Sequence, residues 1–239
     1  MRTASDRGPS QSPFRRVGRG LLQRTGNRLL AISREMDRSP QAARVAAWRA
    51  VNGEGHRLDY ELSPDSIVLD VGGFRGDWAA EVAARFGCTI HIFEPVPQHQ
   101  ALLVERFGAN PRIHVHPFGL GALDETVAFD VDGARSSELA VGGTRALCEI
   151  RQAAAALEQL GLTYVDLVKI NIEGGEFTLV PHLIDTGWIH KLAEMTIQWH
   201  DFVPDAQPQM KAIQQRLEQT HVTTYSFPFV WENWRRLGS

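Results

Sequence analysis

Residues 68–78 read Val68-Leu69-Asp70-Val71-Gly72-Gly73-Phe74-Arg75-Gly76-Asp77-Trp78, and the run Ile67-Val68-Leu69-Asp70-Val71 is short, apolar and closed by glycines. Such a run predicts a buried parallel strand, with the glycines turning the chain sharply into a helix over 77–86. The same alternation continues outward: a strand over 89–93, a helix over 97–107, a strand over 112–116, and later a strand over 165–172, a helix over 177–185 and a strand over 193–199. Strands alternating with helices imply βαβ units, and so a Rossmann-like, doubly wound, mostly parallel α/β sheet. An edge strand or hairpin is expected over 125–131, an alanine-rich helix over 149–160 and a helix over 207–220. Short strands over 222–227 and 229–231, parted by Pro228, supply an antiparallel C-terminal edge. A further helix is expected over 41–52, ahead of Gly53 and Gly55.

Ligands of open α/β sheets bind beyond the carboxyl ends of the strands, so the chemistry is sought there. Gly72, Gly73 and Gly76 suit a turn that a ligand approaches closely. Asp70 narrows the choice, because a carboxylate at the end of the first strand repels the pyrophosphate of a dinucleotide. The glycine pattern also departs from G-x-G-x-x-G, since Val71 stands two places before Gly73. A cationic, phosphate-free ligand fits better, and S-adenosyl-L-methionine has that character. The second strand ends in Phe93-Glu94-Pro95, which places Glu94, with Pro95 beside it, where a carboxylate accepts both hydroxyls of an adenosine ribose. As an alternative, Glu94 is only a charge at a helix N-terminus. Phe118, in His-Pro-Phe-Gly after the third strand, is expected at the adenine ring or in the core.

In residues 166–177, DLVKINIEGGEF, the polar residues Lys169, Asn171 and Glu173 alternate on one face of a buried strand. A buried lysine needs a partner, and Glu173 or another acid near the strand ends is expected to supply it. Asn171 and Glu173 lie at the same sheet edge as Asp70 and Glu94, and four converging polar residues make a site. Of nine histidines, His200 stands at the rim after the fifth strand, where a near-neutral imidazole suits proton removal from a hydroxyl.

The segments VLDVGGFRG, FEP and KINIEGGEF, in this order and at these separations, resemble the FkbM-type methyltransferases over roughly residues 66–200. The resemblance implies a class I methyltransferase-like fold and methyl transfer from S-adenosyl-L-methionine to an oxygen of a sugar, glycan or natural product. His200 or Glu173 then acts as the base, His200 being favoured, while Asp70, Gly72, Gly73, Gly76, Glu94, Pro95, Phe118 and Asn171 hold the cofactor. Many members carry aspartate where Asn171 stands, so no metal is expected here. The loop GARSSEL, residues 133–139, is a candidate cover for the acceptor.

The 239 residues carry a formal net charge of only -3 and are 43% apolar, which suits one domain with a sizeable core and argues against nucleic acid as partner. Residues 1–40 hold nine arginines against three acids and read as a basic arm, its first twenty residues disordered, ahead of a domain over 41–239. Cys88 and Cys148 have no metal or disulfide spacing, no apolar run is long enough to span a membrane, and a cytoplasmic setting is expected. Two rival readings stay open: a nicotinamide-dependent oxidoreductase and a non-catalytic S-adenosylmethionine-binding module. RNA methylation aided by the arm ranks below both.

Overall fold

The computed structural model describes residues 39–130 and 145–238. All but the last two residues of the basic arm over 1–40, and the loop over 133–139, therefore lie outside the described residues. A boundary after Ala46 divides the chain into two units. The first contributes only residues 39–46 here, the opening of helix α1 (Pro40–Ala50), and everything below belongs to the second.

Seven strands form one sheet: β1 (Ile67–Val71), β2 (Thr89–Phe93), β3 (Ile113–His116), β7 (Val165–Ile170), β8 (Leu192–Ile197), β9 (His221–Phe227) and β10 (Trp231–Arg236). Their spatial order is β3-β2-β1-β7-β8-β10-β9. All pairings are parallel up to β8, and β10 runs antiparallel to both β8 and β9. The chain leaves β1 toward β2 and β3, then returns to place β7 on the other side of β1. That reversal opens a crevice between β1 and β7, where ligands of such sheets bind.

Period-two alternation divides the core between the two faces of the sheet. Val68, Ile90, Ile92 and Leu167 pack against α3 (Asp77–Phe86) and α4 (Pro97–Phe107) through Val82, Leu103 and Phe107. Leu69, Val71, Phe93, Val168 and Ile170 face the opposite layer, with residues of α5 (Ala153–Gln159), α6 (Glu176–Asp185) and α7 (Ala206–Leu217) in the same cluster. Helix α3 starts after Gly76 and stops at Gly87, both in the left-handed conformation. Pro97 opens α4 at its first turn, where a missing N–H costs nothing. Trp48, at 2% exposure, meets the rings of Tyr225 and Phe227 at centroid separations of 5.6 and 5.2 Å. Its Nε1 donates to Glu54 Oε1, in the short helix α2 (Gly53–His56), at 2.9 Å.

Three expectations from the sequence are corrected. The helix expected over 149–160 begins only at Ala153, because residues 145–152 form β6 (Arg145–Gln152). This strand sits in a second, three-stranded sheet between β4 (Gly119–Gly121) and β5 (Glu125–Asp130), and Gln152 caps α5 by accepting from Ala155 N at 2.7 Å. The strand expected over 229–231 is mostly turn: Phe229 has φ 58°, and the strand proper continues to Arg236. The strand expected to reach residue 172 ends at Ile170, so Lys169, Asn171 and Glu173 do not share one strand face.

Candidate active site at the carboxyl edge of the sheet

A cavity of about 520 Å³ lies beyond the carboxyl ends of β1, β2 and β7. Gly72, Glu94, Pro95, Asn171 and Glu173 all line it. Asp70, Gly73, Gly76, Phe118 and His200 do not.

Asp70 is 1% exposed and lies beneath the turn, paired with Lys169 Nζ at 2.8 Å. The parallel register sets Asp70 directly beside Lys169, so the lysine finds its partner across the ladder and not at Glu173. Burial pushes the Asp70 carboxyl above the ordinary carboxylate range, and Lys169 opposes that shift. The same ammonium donates to the Gly72 carbonyl at 2.6 Å, so the pair clamps the floor of the cavity. A negative charge facing the ligand is therefore not what Asp70 presents; its influence passes through Gly72.

The glycines have separate reasons. Gly72 has φ +84°, and a Cβ there falls 2.0 Å from the Asn171 carbonyl. At Gly73 a Cβ meets Ile92 Cγ2 at 2.2 Å, and at Gly76 it meets Phe107 at 2.4 Å. Only Gly72 opens backbone to the cavity; the other two let α3 and α4 close on the sheet.

Glu94 is 4% exposed. Its Oε2 accepts from Phe74 N at 2.8 Å and its Oε1 from Val96 N at 2.9 Å, tying the glycine turn to the entry of α4. A carboxylate offers about four lone-pair sites, so acceptor capacity remains toward the cavity. Beside it, Phe74 (φ 50°) meets the His99 ring edge-on at 4.6 Å, and both line the wall. Neither was singled out in the sequence, although His99 follows Pro97 within the first turn of α4. Phe118 is a core residue at 5% exposure, with Arg151 Cζ 4.0 Å from its ring centroid.

Asn171 Oδ1 and Asp70 Oδ2 are buried without a hydrogen-bond partner among the described residues. An orphaned acceptor on a cavity wall is an unmet demand for a donor, and Asn171 provides one. Glu173 has φ 52° and Gly174 φ 106°, a left-handed pair that turns the chain from β7 into α6.

His200 follows β8, its side chain 10% exposed, with Nδ1 2.8 Å from Glu176 Oε1 and Nε2 3.6 Å from Glu173 Oε1. Burial pushes the imidazole down, but the neighbouring carboxylates of Glu173 and Glu176, the latter hydrogen-bonded to the ring, raise it to about 9. The upward shift favours the protonated ring. Glu176, fully buried at the start of α6, went unnoticed in the sequence. Its signal was the second glutamate of E-G-G-E, three residues after Glu173.

Three carboxylates line the cavity, Glu94, Glu125 and Glu173, and among the described residues no lysine or arginine does. No helix of the described residues is long and apolar enough to cross a membrane. Cys88 and Cys148 are both buried and free.

No protein-family model matches the chain, and no curated protein matches it. Among solved structures, a protein provisionally named an rRNA methylase, from Clostridium thermocellum, aligns with a TM-score of 0.52 at 9% identity, covering 80% of this chain and 96% of that one. An rRNA methylase from Streptococcus thermophilus aligns at 0.43 and 10% identity, covering 74% and 89%. A precorrin-6y C5,15-methyltransferase from Geobacter metallireducens GS-15 aligns at 0.42 and 12% identity, covering 76% and 84%. The first of these likenesses shows the fold: the chain has the Rossmann-like architecture of methyltransferases, with the antiparallel C-terminal edge expected from its sequence.

Proposed function

We propose that the protein is an S-adenosyl-L-methionine-dependent methyltransferase acting on a hydroxyl of an uncharged acceptor such as a sugar, glycan or natural product. The observation that carries this reading is the cavity at the β1/β7 switch point, walled by three carboxylates without a lysine or arginine among the described residues. A dinucleotide pyrophosphate or an RNA phosphate brought within about 4 Å of such a carboxylate is repelled by about 4 kcal/mol at an effective dielectric of 20. The sequence resemblance to FkbM-type methyltransferases in KINIEGGEF, and the fold shared with methylases, support the same reading.

The residues present fit the cofactor. Glu94, with Pro95 beside it, holds the ribose hydroxyls, while Gly72 and Asn171 face the cationic amino-acid end, where the unpartnered Asn171 Oδ1 accepts from an ammonium. Asp70 and Lys169 fix the carbonyl of Gly72 from below. Bound there, the cofactor supplies a methyl group made electrophilic by its sulfonium. This chain's task is then chiefly to orient the acceptor and exclude water. Glu173, on the cavity wall, takes the acceptor's hydroxyl proton on a carboxylate oxygen. Glu173 is preferred to His200 as that base because it lines the cavity and His200 does not.

Transfer of labelled methyl from S-adenosyl-L-methionine to a panel of methyl glycosides and polyphenols, beside an RNA transcript and a peptide mixture, tests the reading. Label in an uncharged hydroxyl acceptor, absent from RNA and peptide, is the expected result. Label only in RNA, or only in peptide, overturns the acceptor class.

A further inference from the structure

The turn after β7 holds an arrangement that cofactor binding does not explain. Glu176 is 0% exposed, at the first position of α6, and both its oxygens are engaged. Its Oε2 accepts from Gly174 N at 3.0 Å, while its Oε1 accepts from His200 N at 2.9 Å and pairs with His200 Nδ1 at 2.8 Å. The opposite ring nitrogen, Nε2, faces Glu173 Oε1 at 3.6 Å. The three side chains thus form a line, Glu176 to His200 to Glu173, running from the fully buried start of a helix to the cavity wall.

The chemistry of the ring follows from its neighbours. A neutral imidazole donates at one nitrogen and accepts at the other, so it sets a lone pair against one of the two carboxylates. An imidazolium donates at both, and satisfies both. Glu173 occupies a left-handed backbone conformation, which is strained for a non-glycine residue and persists only where surrounding contacts impose it. The hydrogen bond from Gly174 N to Glu176, and the approach of the His200 ring to the Glu173 carboxylate at ion-pair distance, are such contacts.

We propose that Glu176 and His200 are positioning residues, an ion pair that holds the Glu173 carboxylate at the cavity wall in the orientation from which it accepts the acceptor's proton. The inference rests on the proposed methyltransferase reading for its purpose, though the geometry stands apart from it. His200 then acts as a cation that aims its neighbour, while Glu173 alone touches the reacting hydroxyl. The charged groups facing the His200 ring are Glu173 on the turn and Glu176 on α6, and the ring also contacts Phe202 at 5.2 Å.

The test is NMR titration of the full chain, labelled with ¹⁵N histidine and ¹³C glutamate, as wild type, Glu173→Gln and Glu176→Gln. Both replacements keep shape and an acceptor oxygen, and Glu173 is partly exposed, so a folded variant is at hand even if Glu176→Gln does not fold. The expected result is a His200 midpoint above pH 8 in the wild type, falling by a unit or more, tenfold in proton affinity, in each folded variant. The Glu173 carboxyl resonance inflects at the His200 midpoint. A wild-type His200 titrating near 6.5, or a Glu173 resonance blind to it, overturns the proposal. S-adenosylhomocysteine titrated into the wild type reports separately: no binding there removes the methyltransferase reading and leaves the ion pair to be judged by the NMR alone.

Discussion

Lys169 Nζ stands 2.8 Å from Asp70 Oδ1 and 2.6 Å from the carbonyl oxygen of Gly72, joining residues 99 and 97 positions away in the chain. The Lys169 side chain is 6% exposed and that of Asp70 1%, so each charge is the other's compensation for leaving water. Lys169→Met leaves a buried carboxylate unpaired and is expected to cost about 3–5 kcal/mol, with Asp70→Asn in the same chain recovering part of it. Urea unfolding of the single and double variants measures both, and equal stability of wild type and Lys169→Met contradicts the account.

Gly72 and Gly76 separate turn geometry from packing. Gly76→Ala drives a Cβ into Phe107 at 2.4 Å from a positive φ, so a loss of about 3 kcal/mol is expected from overpacking and strain together. Gly72→Ala meets the Asn171 backbone and acts on the cavity wall itself. Thermal unfolding should fall in both variants, while S-adenosylhomocysteine affinity of the folded protein falls tenfold or more only in Gly72→Ala.

Stability should depend on pH from two sides. Folded His200 binds its proton more tightly than the unfolded chain, at about 9 against 6.5. Its contribution, up to about 3 kcal/mol, is fully present below pH 6.5 and is lost as pH rises through 9. His91 and His116, whose ring nitrogens meet at 2.9 Å, are lowered to about 4 by burial and by neighbouring histidines. Their contribution is present above 6.5 and is lost as pH falls toward 4. Melting temperature followed from pH 4 to 10 should trace a dome, and His200→Gln should flatten its alkaline limb alone.

Glu173→Gln keeps the shape of the side chain and removes its basicity. With an acceptor in hand, kcat is expected to fall about 10²- to 10⁴-fold, the range of general-base effects, with KM for the cofactor little changed. A loss confined to cofactor KM moves Glu173 from proton transfer to binding.

The parallel sheet was legible because its strands are short apolar runs between glycine turns and helical stretches, and Asp70, Glu94 and Asn171 stand at or near the carboxyl ends of those runs. Residues 145–152 were not, since RALCEIRQ runs into an alanine-rich stretch and its strand pattern depends on pairing with β5, registered Val127 to Cys148. That an acid near the strand ends partners Lys169 was legible, but that it is Asp70 was not: period two marks a face of one strand, whereas the ladder decides which residue of another strand lies beside it. His200 stood at the right edge of the sheet, yet its charge depends on Glu176, a contact made across 24 residues. Sequence position gave its place; the two carboxylates give its protonation.

The crevice between β1 and β7 is proposed to receive an adenosyl donor held by Glu94. Calorimetric titration of S-adenosylhomocysteine, and separately of NAD, into the wild type and Glu94→Ala tests it most directly. S-adenosylhomocysteine binding is expected to weaken at least tenfold on the substitution, with no comparable binding of NAD. Tighter binding of NAD, or S-adenosylhomocysteine affinity indifferent to Glu94, contradicts it.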